Sequence, residues 1–207
     1  RNANDGISLS QTAEGALSKV GDSLQRMREL AVQARNSTNS DDDKTSLNKE
    51  FAELQKEIGR VLGGTAFNGK AILGDEATTL TFQVGANTTT HDEIELETTN
   101  MTTESTITAV TGTSASIDAS ASVADIKTVI DNIDTAINTV NEKRATFGAA
   151  QSRFDAVISN LQQSVENQSA ARSRIMDADF AAETANLSRS QILQQAGNAM
   201  IAQANQA

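Results

Sequence analysis

The chain has 207 residues, 38% hydrophobic, 21% charged and 3% aromatic, with 17 Lys+Arg against 27 Asp+Glu and a net charge of −10. Its length allows one or two domains with a sizeable core. Its acidic balance disfavours nucleic acid and anionic membranes, both of which attract a basic surface. With no cysteine, disulfides, thiolate zinc sites and cysteine nucleophiles are excluded. With no proline, long helices are favoured, because proline breaks their interiors. No run approaches the ~20 apolar residues of a membrane span, and no signal peptide is visible. The chain opens at Arg1 within a helical pattern and reads as a piece of a longer protein.

The first element is a helix from about Asn4 to Asn36. Leu17, Val20, Leu24, Met27, Ala31 and Ala34 alternate 3 and 4 residues apart, the spacing of a heptad seam. The pattern stops at Asn36-Ser37-Thr38-Asn39-Ser40, a turn-forming cluster. Ser40 then suits an N-cap, and Asp41, Asp42 and Asp43 sit where the helix dipole favours anions. Leu47, Phe51, Leu54, Ile58 and Val61 continue the seam until Gly63-Gly64 ends it. The short link predicts that this second helix folds back antiparallel on the first.

The period then changes. Asn68-Gly69 is a tight-turn signal. Leu80, Phe82 and Val84, and later Ile94 and Leu96, alternate with polar residues, predicting a hairpin-rich element from Phe67 to Glu97. From Thr98 to Ser122, thirteen of twenty-five residues are Ser or Thr, which predicts an exposed loop or irregular strands.

A long helix is expected from Ser122 or Val123. Its seam is Ile126, Ile130, Ile133, Ile137, Val140, Arg144, Phe147, Gln151, Phe154, Ile158, Leu161, Val165, Gln168, Arg172 and Ile175. At roughly 80 Å, such a helix is too long to pack only within one small domain. Its polar seam positions fix register at some cost in stability. Asp177-Ala178-Asp179 interrupts the pattern. The Ala-, Gln- and Asn-rich tail carries a weak stripe of Ile192, Leu193, Ala196, Met200 and Ile201, marginal alone in water and suited to partner helices. The fold class is therefore mainly α, an elongated bundle of long antiparallel coiled-coil-like helices with a small β-hairpin element.

Catalytic signals are missing. His91 is the sole histidine and lies in a Thr-rich stretch, where solvent exposure is expected and no triad or metal site is supported. No His-Glu-x-x-His motif, phosphate-cradling loop or nucleophile elbow occurs. The Asp41–Asp43 run lacks the alternating ligands and closing Glu of a calcium loop. The expectation is no enzyme activity, no cofactor and no metal site.

Two long stretches carry a family resemblance. NANDGISLSQTAEGAL (Asn2 to Leu17) is followed by LQRMRELAVQARNSTNS (Leu24 to Ser40). Near the other end stands AARSRIMDADFAAETANLSRSQILQQAGNAMIAQANQ (Ala170 to Gln206). Together with FNGKAIL and TFQVGAN in the middle, they resemble bacterial flagellin over nearly the whole chain outside about Thr88 to Ser122. The resemblance implies a filament subunit exported through the flagellar type III channel, localised outside the cell in the flagellar filament, and acting in motility. A hook–filament junction protein is the alternative. It also implies a domain scheme: residues 1–66 and 123–176 form a rod-like helical core, 67–122 a hairpin and short variable region, and 177–207 a terminal-domain helix. The family's segments before Arg1 and after Gln206 are missing or altered, so normal polymerisation is not expected of this piece alone.

The implied partners are other flagellin subunits, the flagellin-specific export chaperone and a host's Toll-like receptor 5, with no nucleic acid and no membrane. Matching positions assign receptor binding to Gln25, Arg26, Leu30, Gln33 and Glu50. Helical geometry places Leu30 about 85°, Arg26 about 125° and Gln33 about 145° from the seam centre, predicting exposure of all three. Phe180, Leu187, Ile192, Leu193 and Met200 are the expected filament- and chaperone-packing residues. Many flagellins are O-glycosylated, which makes Thr98 to Ser122 the candidate stretch for that modification.

Overall fold

The computed structural model describes residues 1–177 and 180–205. Helix α1 spans Asn2–Ala34, beginning and ending two residues before the expected bounds. Every predicted seam residue from Leu17 to Ala34 is buried, and the buried set extends back through Ala13, Leu9 and Ala3. The turn that follows is held by hydrogen bonds rather than by apolar packing. Asn39 Nδ2 donates to the Gln33 carbonyl at 2.6 Å, and the Thr38 amide donates to Asn36 Oδ1 at 3.3 Å.

Helix α2 (Asp41–Gly64) starts with a capping box. The Asp43 amide donates to Ser40 Oγ, and Asp43 Oδ2 accepts from the Ser40 amide at 3.0 Å. Two otherwise orphaned donors at the helix start are thus satisfied reciprocally. Phe51 and Ile58 are fully buried, and Leu47, Leu54 and Val61 are half-buried. Leu62, beside the predicted Val61, is the buried residue of the last turn. The helix runs through both glycines and ends at Thr65 in an extended conformation. The left-handed backbone is used instead at Asn68 (φ 54°) and Gly69 (φ 84°). Positive φ at both central residues is what a two-residue type I′ hairpin turn requires. It joins β1 (Ala66–Phe67) to β2 (Lys70–Ala71).

Strands β3 (Thr79–Gln83) and β4 (Glu93–Glu97) form a second antiparallel hairpin, pairing Leu80 with Leu96 and Phe82 with Ile94. These four apolar residues face the core side, while Thr81, Gln83, Glu95 and Glu97 are exposed. Alternation over a period of two produces this division.

The Ser/Thr-rich stretch departs from its expected exposed loop. It contains helix α3 (Ser105–Thr111) and buries Thr98, Met101, Ile107, Val110, Ala115 and Ile117. Sparse apolar residues spaced along a polar segment suffice to seat it against α2. Side chains from α2 satisfy the backbone that this seating buries. Gln55 Nε2 donates to the carbonyls of Val110 (2.7 Å) and Ala115 (2.9 Å), and Asn48 Oδ1 accepts from the Ile117 amide (3.0 Å). Thr98 is buried because its hydroxyl both accepts from the Thr78 amide and donates to the Thr78 carbonyl. It thereby extends the β3–β4 ladder.

Helix α4 (Val123–Met176) begins with a second Ser-x-x-Asp box, Ser122 with Asp125. Its buried residues are Ile126, Val129, Ile133, Ala136, Val140, Phe147, Ala150 and Phe154. Ile130 and Ile137 are only half-buried, so the buried line keeps Ile126, Ile133, Val140, Phe147 and Phe154 of the predicted seam and adds Val129, Ala136 and Ala150 beside it. Antiparallel packing on α1 is fixed by three pairs: Arg28 with Asp134, Glu14 with Arg144, and Gly6 with Phe154.

The chain divides into two compact units, 1–158 and 159–207. The first holds the core above. The second contains the distal part of α4 and helix α5 (Phe180–Ala204). In it, Leu161, Val165, Ile175 and Met176 are exposed, as is every described residue of α5. Asp177 closes α4 and accepts a hydrogen bond from Ser173 Oγ. The rest of the expected interruption, Ala178 and Asp179, lies outside the described residues, as do Gln206 and Ala207 of the tail. Among the described residues no helix is long and apolar enough to cross a membrane.

Candidate protein-interaction site

The adjoining faces of α1 and α2 bring three charges together. Arg26 Nε donates to Glu50 Oε1 at 2.7 Å, and its Nη1 donates to Glu29 Oε2 at 2.9 Å. These hydrogen bonds, that to Glu50 foremost, raise the Arg26 pKa. About half of the Arg26 and Glu50 side-chain surface remains in solvent. A guanidinium held between two carboxylates is oriented rather than free to sweep. Gln25 and Gln33 are exposed on the same helix.

Leu30 does not belong to this exposed group. It is 1% exposed and part of the core, which corrects the angular prediction. That prediction measured distance from one seam. Helix α1 packs against both α2 and α4, so its apolar stripe is wider than a two-helix seam. Glu29 was missing from the predicted site. Its signal was present in the i, i+3 spacing from Arg26, which puts opposite charges side by side on a helix.

The second group lies on α5. Phe180, Leu187, Ile192, Leu193 and Met200 are 84%, 59%, 64%, 65% and 73% exposed. These five apolar side chains therefore stand in solvent on one helix. The polar chemistry elsewhere is structural. His91 is exposed. Asp92 accepts from Thr89 Oγ1 at 2.5 Å and from the Asn87 amide at 3.3 Å, and these bonds hold its pKa down. A cleft of about 610 Å3 between the start of α1 and the two hairpins is lined by Leu9, Phe67, Ile72, Leu80 and Phe82, together with Asp5 and Lys70. No described His, Cys, Asp or Glu side chains form a group of three placed to hold a metal ion.

Residues 1–78 match the bacterial flagellin N-terminal helical region, and residues 130–207 match the bacterial flagellin C-terminal helical region. The chain belongs to the flagellin family. It is 45% identical to a flagellin of Halalkalibacterium halodurans over 206 residues, covering 100% of this chain and 73% of that one. It is 40% identical to a flagellin of Bacillus subtilis, covering 100% of this chain and 76% of that one. The crystal structure of Bacillus cereus flagellin superposes with a TM-score of 0.66 at 34% identity, covering 83% of this chain and 94% of that one. Flagellins are structural proteins of the bacterial flagellar filament and are not enzymes. The helical bundle with small antiparallel hairpins is thus a flagellin fold.

Proposed function

We propose that this chain polymerises with copies of itself into an extracellular flagellar filament that serves motility. The observation that carries this reading is the bare apolar surface of α5, set beside family matches at both ends of the sequence. A helix with Ile192, Leu193 and Met200 in water is stabilised when other helices cover it. Before export the same apolar side chains serve the flagellin-specific export chaperone.

In this assignment, residues 1–66 and 123–176 are the rod-like core, 67–122 the hairpin and short variable part, and 177–207 the terminal segment. The test is growth on short filament seeds. The chain is joined to the flanking segments of the Halalkalibacterium relative and scored by electron microscopy. Elongation that fails when Ile192 and Leu193 become Asp supports the reading. Absence of growth from the folded, unsubstituted protein overturns it in favour of the hook–filament junction.

A second reading concerns the released monomer. The exposed arginine held between Glu29 and Glu50, flanked by Gln25 and Gln33, supports recognition by Toll-like receptor 5. Arginine in a fixed orientation is a common interface anchor. Leu30 enters this reading as a buried residue that positions the helix face.

A further inference from the structure

We propose that Asn68 is a site of spontaneous deamidation, a covalent modification that the folded chain directs to one turn. The reaction starts when the Gly69 amide nitrogen attacks the Asn68 side-chain carbonyl carbon. A C–N bond forms, the C–NH2 bond breaks, the amide proton passes to solvent base and ammonia leaves. Water then opens the cyclic imide at either carbonyl, giving aspartate or isoaspartate. Water enters and ammonia departs, and no partner or cofactor is required.

Three features single out this position. Among the asparagines of the chain, only Asn68 precedes a glycine, so no Cβ crowds the attacking nitrogen. Both residues are exposed at the hairpin tip. Among the described residues, none accepts from the Gly69 amide and none bonds the Asn68 side chain. The other loop asparagines of the first unit are restrained differently. Asn36 accepts from the Thr38 amide, Asn39 donates to the Gln33 carbonyl, and Asn100 bonds both Asp75 and Thr102. Asn87 precedes Thr88, whose branched side chain shields its nitrogen.

The products act differently on the hairpin. Aspartate keeps the backbone and its tolerance for positive φ, and adds one negative charge beside Lys70. Isoaspartate adds a backbone atom to a two-residue turn whose geometry sets the Phe67–Lys70 register. It therefore opens the β1–β2 pair and moves Phe67 in the cleft wall.

The test is peptide mapping of the intact folded chain during incubation at mildly alkaline pH, with a sample unfolded in urea alongside. The expected result is a native-state mass gain of one NH-to-O exchange at Asn68, several-fold faster than at Asn87, with isoaspartate the major product. The accompanying acidic species should disappear in Asn68→Gln. Conversion in urea without conversion in the folded chain would overturn the proposal, because it would mean that the turn protects the residue. An acidic species that persists in Asn68→Gln would overturn it as well.

Discussion

The ring of Phe154 on α4 lies directly over Gly6 on α1: a Cβ on that glycine would stand 2.4 Å from the ring's Cζ. The ring is fully buried and meets Phe82 edge-on, with centroids 5.3 Å apart and planes 81° apart. Three elements therefore meet where one residue has no side chain. Gly6→Ala gains up to about 1 kcal/mol of helix propensity, yet forces the ring into its neighbours at about 1–3 kcal/mol. The expected outcome is a net loss of about 1 kcal/mol in urea unfolding. Pairing it with Phe154→Leu should give a double mutant less destabilised than the sum of the two, because both changes act on one contact.

The two serine boxes make a matched pair of tests. Ser40→Ala and Ser122→Ala should each cost about 1 kcal/mol, whereas Ser→Gly at either position should cost only a few tenths. Thermal melts of the four variants check this order. No loss in either alanine variant would show that the side-chain oxygen contributes nothing.

Acid should weaken the fold through named carboxylates. Hydrogen bonds from Ser40, Thr89, Ser120 and Ser122 are the main causes that lower Asp43, Asp92, Asp118 and Asp125 respectively below the ordinary aspartate value of 3.8. The folded state thus binds fewer protons than the unfolded state near that value. The associated stability is fully present above pH 3.8 and is lost as the pH falls through the depressed native values. Melting temperature against pH should fall on the acid side, and Asp43→Asn with Asp125→Asn should flatten that slope.

Arg26 and Leu30 should separate binding from folding. Arg26→Ala or Glu50→Ala should leave the melting temperature close to that of the parent, since the pair is half in solvent. Affinity for the receptor ectodomain should fall by about tenfold. Leu30→Ala, at a 1%-exposed core position, should instead cost about 2–5 kcal/mol of stability. Calorimetry with surface-plasmon binding on the same samples distinguishes the two. Unchanged affinity in both Arg26→Ala and Glu50→Ala would remove the receptor site from this face.

Gln55 tests how the Ser/Thr-rich stretch is held. Gln55→Leu strands the Val110 and Ala115 carbonyls, and each unsatisfied buried acceptor costs about 1–3 kcal/mol. Hydrogen exchange should rise first around α3 rather than in α1, and equal changes in both would contradict a local anchoring role.

These residues also show what could be read in advance. Heptad spacing located α1, α2 and α4, because long amphipathic helices repeat their signal over many turns. The Asn68-Gly69 turn and the Leu80/Phe82 and Ile94/Leu96 alternation were legible for the same local reasons. Leu30 was misplaced because angular distance from one seam ignores a second neighbouring helix. The packing of 98–122 escaped composition, since it depends on Gln55 and Asn48, 55 to 69 residues away in sequence from the groups they satisfy. Arg26 and Glu50 are reached singly through family resemblance, while the hydrogen-bonded pair they make is visible only in the structure; helical spacing alone adds Glu29.

Helix α4 carries a single ladder of backbone hydrogen bonds from Val123 to Met176, but its cover is uneven. Phe154 is sealed, while Val165 and Ile175 are 65% and 82% exposed. Amides early in the helix can exchange with solvent only when the core opens, whereas those past Ile158 need only a local fraying of the helix. Deuterium uptake read along this one helix would therefore run from the slowest amides in the chain to some of the fastest. Whatever covers the distal turns would be seen as the point where that gradient levels out.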